Sequence, residues 1–273
     1  MHSDRQQAIG VFDSGVGGLT VLKALMERLP GESTVYLGDT ARVPYGTKSA
    51  EVVTRYSLKN ADFLRTRGIK LLVVACNTAS AAALPALRAH LDVPVVGVIE
   101  PGAEAAIARV PAGTAVGVIG TPGTIRSGAY QRALEALRPG VPVEVQPCPL
   151  FVPLAEEGWL SGEVPALVAS EYLARFSGGS VGALVLGCTH YPLLKDVIRQ
   201  TVGPRVVLVD SAEATAQATA ALLAERGLLA TPGDVPPTHR YYVTDVPDRF
   251  TEVGARFLGR PIVGAEQVDI TYV

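Results

Sequence analysis

Two cysteines in this chain stand at matching places. Leu71-Leu72-Val73-Val74-Ala75-Cys76-Asn77-Thr78-Ala79 reads as a buried strand ending in Cys-Asn-Thr. Ala183-Leu184-Val185-Leu186-Gly187-Cys188-Thr189-His190 reads as a second strand ending in Cys-Thr-His. Two thiols that face one site from opposite sides suit a symmetric reaction: one removes a proton from one face of a carbon, and the other returns a proton on the opposite face. A free thiol ionises near ~8.5, and helix N-termini or cationic neighbours lower that value. Both cysteines precede helical stretches, so the spacing predicts thiols made more acidic by helix dipoles. A strand-end cysteine can also be plain packing, since free Cys is often buried; the matched placement favours chemistry. Cys148, in Gln146-Pro147-Cys148-Pro149, has no copy and reads as structural.

Other candidates gather at the same kind of position. Asp13 and Ser14 follow the first apolar run, in Asp13-Ser14-Gly15-Val16-Gly17-Gly18. Such a string can cap a helix. Its glycines lack the dinucleotide spacing and no Walker lysine follows, and an acid there would repel phosphate, so a carboxylate beside a thiol fits better. His190, two residues after Cys188, can act as proton shuttle or thiol partner near neutral pH. Glu156 is a candidate to orient it, with Glu157 adjacent. Asn77, Thr78, Thr121, Thr124, Thr189 and Ser14 offer amides and hydroxyls for carboxylate and ammonium groups. Tyr45-Gly46, at the end of Gly38-Asp39-Thr40-Ala41-Arg42-Val43-Pro44-Tyr45-Gly46, would close over a ligand, or form an ordinary turn.

The elements that must position these residues follow from the apolar pattern. Short Val-, Leu- and Ala-rich runs alternate with helical stretches, which predicts βαβ units and parallel sheets. Expected strands include 8–12, 34–37, 71–75, 95–98, 143–146, 183–187, 206–209, 240–244 and 270–273. The segment Ala115–Pro122 resembles Ala8–Gly15, and the offset from Gly10 to Gly117 is close to that from Cys76 to Cys188. An internal duplication is expected, giving two similar doubly wound α/β domains with a cleft between them. Their expected limits are 1–98 plus 208–273 for a discontinuous first domain and 99–207 for the second. Ligands of open parallel sheets bind beyond the carboxyl ends of the strands, where both cysteines, Asp13 and Thr121 fall.

Composition narrows the class. The 273 residues are 48% hydrophobic but only 6% aromatic, with a net charge of -2. There is no basic field for nucleic acid or anionic lipid, and no run long enough to span a bilayer. Three unpaired cysteines and a polar start without a secretory signal point to a reduced, cytoplasmic setting. The cysteines are too far apart for a metal motif. The Pro- and Gly-rich stretch 231–239 reads as a loop.

Four strings together carry a resemblance: Asp13–Gly18, Gly38–Gly46, Ala75–Ala79 and Gly187-Cys188-Thr189-His190-Tyr191-Pro192. In this order the chain resembles the glutamate racemases over nearly its whole length. The resemblance implies a cofactor-independent enzyme that interconverts L- and D-glutamate and supplies D-glutamate for peptidoglycan. It implies catalytic cysteines at Cys76 and Cys188, assisted by Asp13, Glu156 and His190. Substrate contacts are implied at Asp13, Ser14, Tyr45, Gly46, Asn77, Thr78, Thr121, Thr124, Thr189 and His190. It further implies no metal, no pyridoxal phosphate and a homodimer.

Overall fold

The structure is a computed structural model and describes residues 5–231 and 236–271. Buried apolar runs form the strands, and amphipathic segments between them form the helices. In the first part of the chain, β1 (Ala8–Asp13), α1 (Leu19–Arg28), β2 (Thr34–Gly38), α2 (Ala50–Thr66), β3 (Ile69–Val74), α3 (Asn77–His90), β4 (Val95–Gly97) and α4 (Ile99–Ile107) follow in order. The middle carries β5 (Val116–Gly120), α5 (Pro122–Arg126), α6 (Ala129–Leu137), β6 (Val143–Pro147), α7 (Phe151–Glu156), α8 (Glu163–Leu173), β7 (Ala183–Gly187), α9 (Lys195–Val202), β8 (Val207–Asp210) and α10 (Ser211–Glu225). The chain then returns through β9 (His239–Val243), α11 (Pro247–Leu258) and β10 (Ala265–Gln267).

These strands make two parallel sheets, β10-β9-β2-β1-β3-β4 and β6-β5-β7-β8. The order β2-β1-β3-β4 of the first recurs as β6-β5-β7-β8 in the second, as a duplicated unit requires. Alternate residues of the first sheet feed opposite cores. Ile9, Val11, Leu71 and Val73 join one cluster, whereas Phe12, Leu72 and Val74 join another. Both faces are therefore covered by helices, which explains why the strands read as continuous apolar runs.

Strand register sets the site. Phe12 pairs with Val74, so Asp13 and Cys76 leave neighbouring strand ends together. Gly120 pairs with Gly187, which does the same for Thr121 and Cys188.

β8 pairs with β7 and completes the second sheet, so the expected boundary at 207/208 falls inside that sheet. One expected strand is corrected. The strand expected over 270–273 is replaced by β10 at Ala265–Gln267, paired parallel with β9. Ile270 is buried in coil, and residues 272–273 lie outside the described residues, as do 1–4 and 232–235 of the expected loop. The helical stretch expected over 191–202 is present, as a short 3-10 helix, Tyr191–Leu194, that runs into α9.

Candidate active site

Each cysteine has its own set of neighbours. Cys76 is the N-cap of α3, and its sulfur accepts from the Ala79 amide at 3.5 Å. The Sγ also lies 3.7 Å from the Ser14 hydroxyl. Burial pushes the Cys76 thiol up to about 12, with the Asp13 charge adding to the effect and the Ala79 amide opposing it. At Cys76, desolvation and a like charge thus oppose the acidifying effect expected of the helix terminus.

Asp13 is fully buried. Burial raises its carboxyl above the usual range, against the pull of His190 and of amides at Gly18, Gly15 and Ser14. Gly15 N donates to Oδ2 at 2.9 Å, while Oδ1 has no partner. The loop keeps this geometry because the Tyr36 hydroxyl donates to the Gly15 carbonyl at 2.9 Å.

Cys188 faces a base instead. Its Sγ is 3.8 Å from His190 Nδ1, and His190 Nε2 is 2.9 Å from Glu156 Oε1. Burial works against a charged imidazole, but the bonds to Cys188 and Glu156 prevail and hold His190 at about 10. Glu156 is held below its ordinary value: burial alone would raise it, and the His190 bond and charge outweigh that. The adjacent Glu157 turns outward to Arg249 at 3.4 Å, so the histidine's partner is Glu156. Glu156 lines a cavity of about 170 Å³ together with Val16, Val43 and Arg249.

The two halves meet around these groups. The Thr78 hydroxyl bonds Thr121 at 2.9 Å and Thr124 at 3.1 Å, and Thr121 and Thr124 bond each other at 3.1 Å. Thr20 Oγ1 donates to the Thr189 carbonyl at 3.2 Å. Gly17 lies so close to Thr189 and His190 that a Cβ there would overlap both. Gly46 packs against Thr121, and a Cβ on Gly123 would sit 2.8 Å from the Gly46 carbonyl. Cys76 and Cys188 are 5% and 6% exposed, so this cleft is closed. Cys76 still senses the other thiol, since a charge on Cys188 disfavours one on Cys76.

Tyr45 is held from within its own domain. Its ring is buried, and its hydroxyl donates to Asp39 and accepts from Asn60 at 3.1 Å. The Tyr45 side chain anchors the loop, and Gly46 brings backbone to the cleft. Cys148 is buried beside Phe151 and Tyr191, as expected of a structural residue. Sequence reasoning missed Tyr130, whose hydroxyl donates to Asn77 Oδ1 at 2.7 Å. It also missed Phe257, edge-on to the His190 ring at 5.1 Å, whose only signal was the apolar stripe of α11.

Two buried thiols stand at equivalent strand ends, one beside Asp13 and one beside His190. The chain belongs to the Asp/Glu/Hydantoin racemase family, whose sequence pattern matches residues 9–219; it is an isomerase of the amino-acid racemase kind. Its relatives narrow this further to the glutamate racemases. The glutamate racemase of Geobacter metallireducens is 59% identical over 264 residues, covering 97% of both chains. The solved glutamate racemase of Francisella tularensis, in complex with D-glutamate, is 40% identical, covers 98% of this chain and 100% of its own, and superposes with a TM-score of 0.91. That of Thermus thermophilus, in complex with beta-chloro-D-alanine, is 47% identical over 97% of this chain and 98% of its own, with a TM-score of 0.88. An aspartate racemase of Picrophilus torridus, at 18% identity and a TM-score of 0.57, shares the fold alone.

Proposed function

We propose that the protein interconverts L- and D-glutamate by two-base proton transfer between Cys76 and Cys188. The observation that carries this reading is the pair of buried cysteines, each at the end of an equivalent strand.

Resting protonation states favour one direction. His190, held at about 10, is a cation at neutral pH and lies 3.8 Å from the Cys188 sulfur, which acts as the base toward L-glutamate. Cys76, pushed up to about 12, is a thiol. The Cys188 thiolate takes the α-proton of L-glutamate and becomes a thiol. The carbanion is protonated on its opposite face by the Cys76 thiol, which becomes a thiolate, and D-glutamate results. D-glutamate reacts in reverse from that second state. Between turnovers, Asp13 and His190 return the thiols to either starting state by proton exchange.

The α-proton of an amino acid is only weakly acidic, so the developing charge needs preorganised donors in a dry site. The unpartnered, buried Asn77 amide nitrogen supports that role beside Cys76, and the unpartnered Asp13 Oδ1 suits the substrate ammonium. The Thr78–Thr121–Thr124 hydroxyls and the Thr189 and Ser14 groups supply further polar contacts. No pyridoxal phosphate enters this scheme. The product would serve peptidoglycan synthesis in the cytoplasm.

The test is circular dichroism of the purified chain given L-glutamate and L-aspartate in parallel, with the α-carbon product analysed after reaction in deuterated water. Loss of optical activity from glutamate alone, with one solvent deuterium entering each new enantiomer, is expected. Equal turnover of aspartate, or racemisation without deuterium uptake, would overturn the reading.

A further inference from the structure

Asn77 can present either its carbonyl or its amino group to the cleft, and only one of these stabilises negative charge. A planar side-chain amide is nearly symmetric in shape, so its orientation is set by its hydrogen-bond partners. The one partner of its oxygen comes from the other half of the molecule. Tyr130, in α6, donates its hydroxyl to Asn77 Oδ1 at 2.7 Å. Ser211, at the start of α10, lies close enough to the Tyr130 oxygen to favour its charged form. The Tyr130 proton goes to Asn77. Asn77 must answer with its carbonyl, and its NH2 is left facing the cleft.

The rest of the packing gives Tyr130 no freedom to do otherwise. Its side chain is 1% exposed. A Cβ on Gly187, the residue before Cys188, would sit 3.0 Å from its ring, and one on Gly102 would sit 3.3 Å from its hydroxyl. Gly128, in the left-handed region at φ 67°, turns the chain into α6 just before it. One ring thus rests beneath the strand end that carries Cys188 while its hydroxyl reaches the residue after Cys76.

We propose that Tyr130, with Ser211 behind it, is a positioning residue that fixes the Asn77 amide with its N–H donors toward the substrate carboxylate, where charge builds as the α-proton leaves. Because Asn77 and Tyr130 lie in different halves, the donor is set correctly only when the cleft is shut. This rests on the glutamate racemase reading.

The experiment uses the full chain and its Tyr130→Phe, Ser211→Ala, Asn77→Ala and Asn77→Ala/Tyr130→Phe variants. Racemisation of L- and D-glutamate is followed with ordinary and α-deuterated substrate, and folding by circular dichroism. Losing one oxyanion donor costs about 100- to 1000-fold in kcat, so misorienting one should cost roughly tenfold. Tyr130→Phe is expected to lower kcat by about that factor, with a smaller change in KM, and to raise the primary isotope effect. In the Asn77→Ala background the same change is expected to do nothing further. A Tyr130→Phe kcat within about twofold of the parent with an unmoved isotope effect would overturn the proposal, as would a full loss repeated in the Asn77→Ala background. Should Tyr130→Phe not fold, Ser211→Ala decides: a lower kcat with a larger isotope effect supports the chain of bonds, and parent-like kinetics sink it. If the parent chain leaves glutamate untouched, it is the functional reading that fails.

Discussion

Nδ1 of His190 stands 3.8 Å from Sγ of Cys188, whereas the charge that Cys76 feels most is the Asp13 carboxylate. The two thiols are alike in strand position and unlike in charge environment: one has a cation, the other an anion. Burial by itself would strip His190 of its proton, and the bonds to Cys188 and Glu156 reverse that, holding it at about 10.

That balance predicts the pH behaviour of Glu156→Gln. An opposite charge within bonding distance shifts a titration by about one to three units. Without it, the basic limb of the kcat profile for L-glutamate should move to lower pH by roughly that amount. The stability profile should move too. His190 titrates above its ordinary 6.5 when folded, so its contribution is present below 6.5 and is lost as pH rises toward about 10. Glu156 is depressed, so its contribution is present above 4.5 and is lost as pH falls through its lowered value. Thermal melts from pH 4 to 10 should show the alkaline loss shrinking in the variant. An unmoved basic limb would mean that His190 is not the titrating group.

Each cysteine variant should retain half a reaction. In Cys76→Ala the remaining thiolate at Cys188 still meets the α-proton of L-glutamate and can return a solvent deuteron to the same face. L-glutamate should exchange its α-proton in deuterated water without racemising, and D-glutamate should not. Cys188→Ala should show the opposite preference. Proton NMR of the α-position reads both. Racemisation should fall by at least about 100-fold, the lower range for a general acid or base. In water the enantiomers have equal free energy, so any partly active variant must keep equal kcat/KM in the two directions.

Much of this was legible in the sequence because strands buried on both faces announce themselves as apolar runs, and their ends mark the site. The order Asp13, Cys76, Thr121, Cys188 followed from that alone. What stayed hidden depends on side-chain direction. Glu156 and Glu157 are adjacent at the end of α7, and the helix's rotation, which no local pattern encodes, sends one to His190 and the other to Arg249. Tyr45 looked like a lid residue because its loop reaches the cleft, yet Asp39 and Asn60 draw its hydroxyl inward. Tyr130 sits among ordinary helix formers and gains meaning only from Asn77, which is far away in sequence.

Gly17 offers a test of closure. Its α-hydrogens face the Thr189 hydroxyl and the His190 ring, and an added Cβ would overlap both. The methyl cannot be absorbed within either half, because Thr189 is tied across the cleft by Thr20. Gly17→Ala should therefore hold the halves apart. Misplacing reacting groups by about 1 Å costs on the order of 100-fold in rate, so kcat should fall by about that much while the melting temperature drops only slightly. Near-parental kcat would show that the halves close well enough without this contact.

Lys70 is the residue whose place is hardest to read from sequence. It lies inside β3, yet its side chain is 1% exposed. Its ammonium pairs with Glu32 at 2.5 Å and donates to the carbonyls of Arg5 at 2.6 Å and Leu228 at 2.8 Å. Glu32 in turn accepts from the Ala230 amide at 2.8 Å. The pair clasps the first described residue to the segment returning from the second sheet, at the end of β3 remote from Cys76. Removing one partner of such a pair leaves a buried charge, at a cost of about 3–5 kcal/mol. Glu32→Gln should lower the melting temperature by roughly 6–20 °C, given about 2–4 °C per kcal/mol for a chain of this size, while kcat of the folded fraction stays unchanged. Lys70→Met/Glu32→Leu should recover much of the loss, since apolar replacements leave no charge unpaired. If Glu32→Gln instead lowered kcat without lowering the melting point, the clasp would have to act on the site, and its purely structural reading would be wrong.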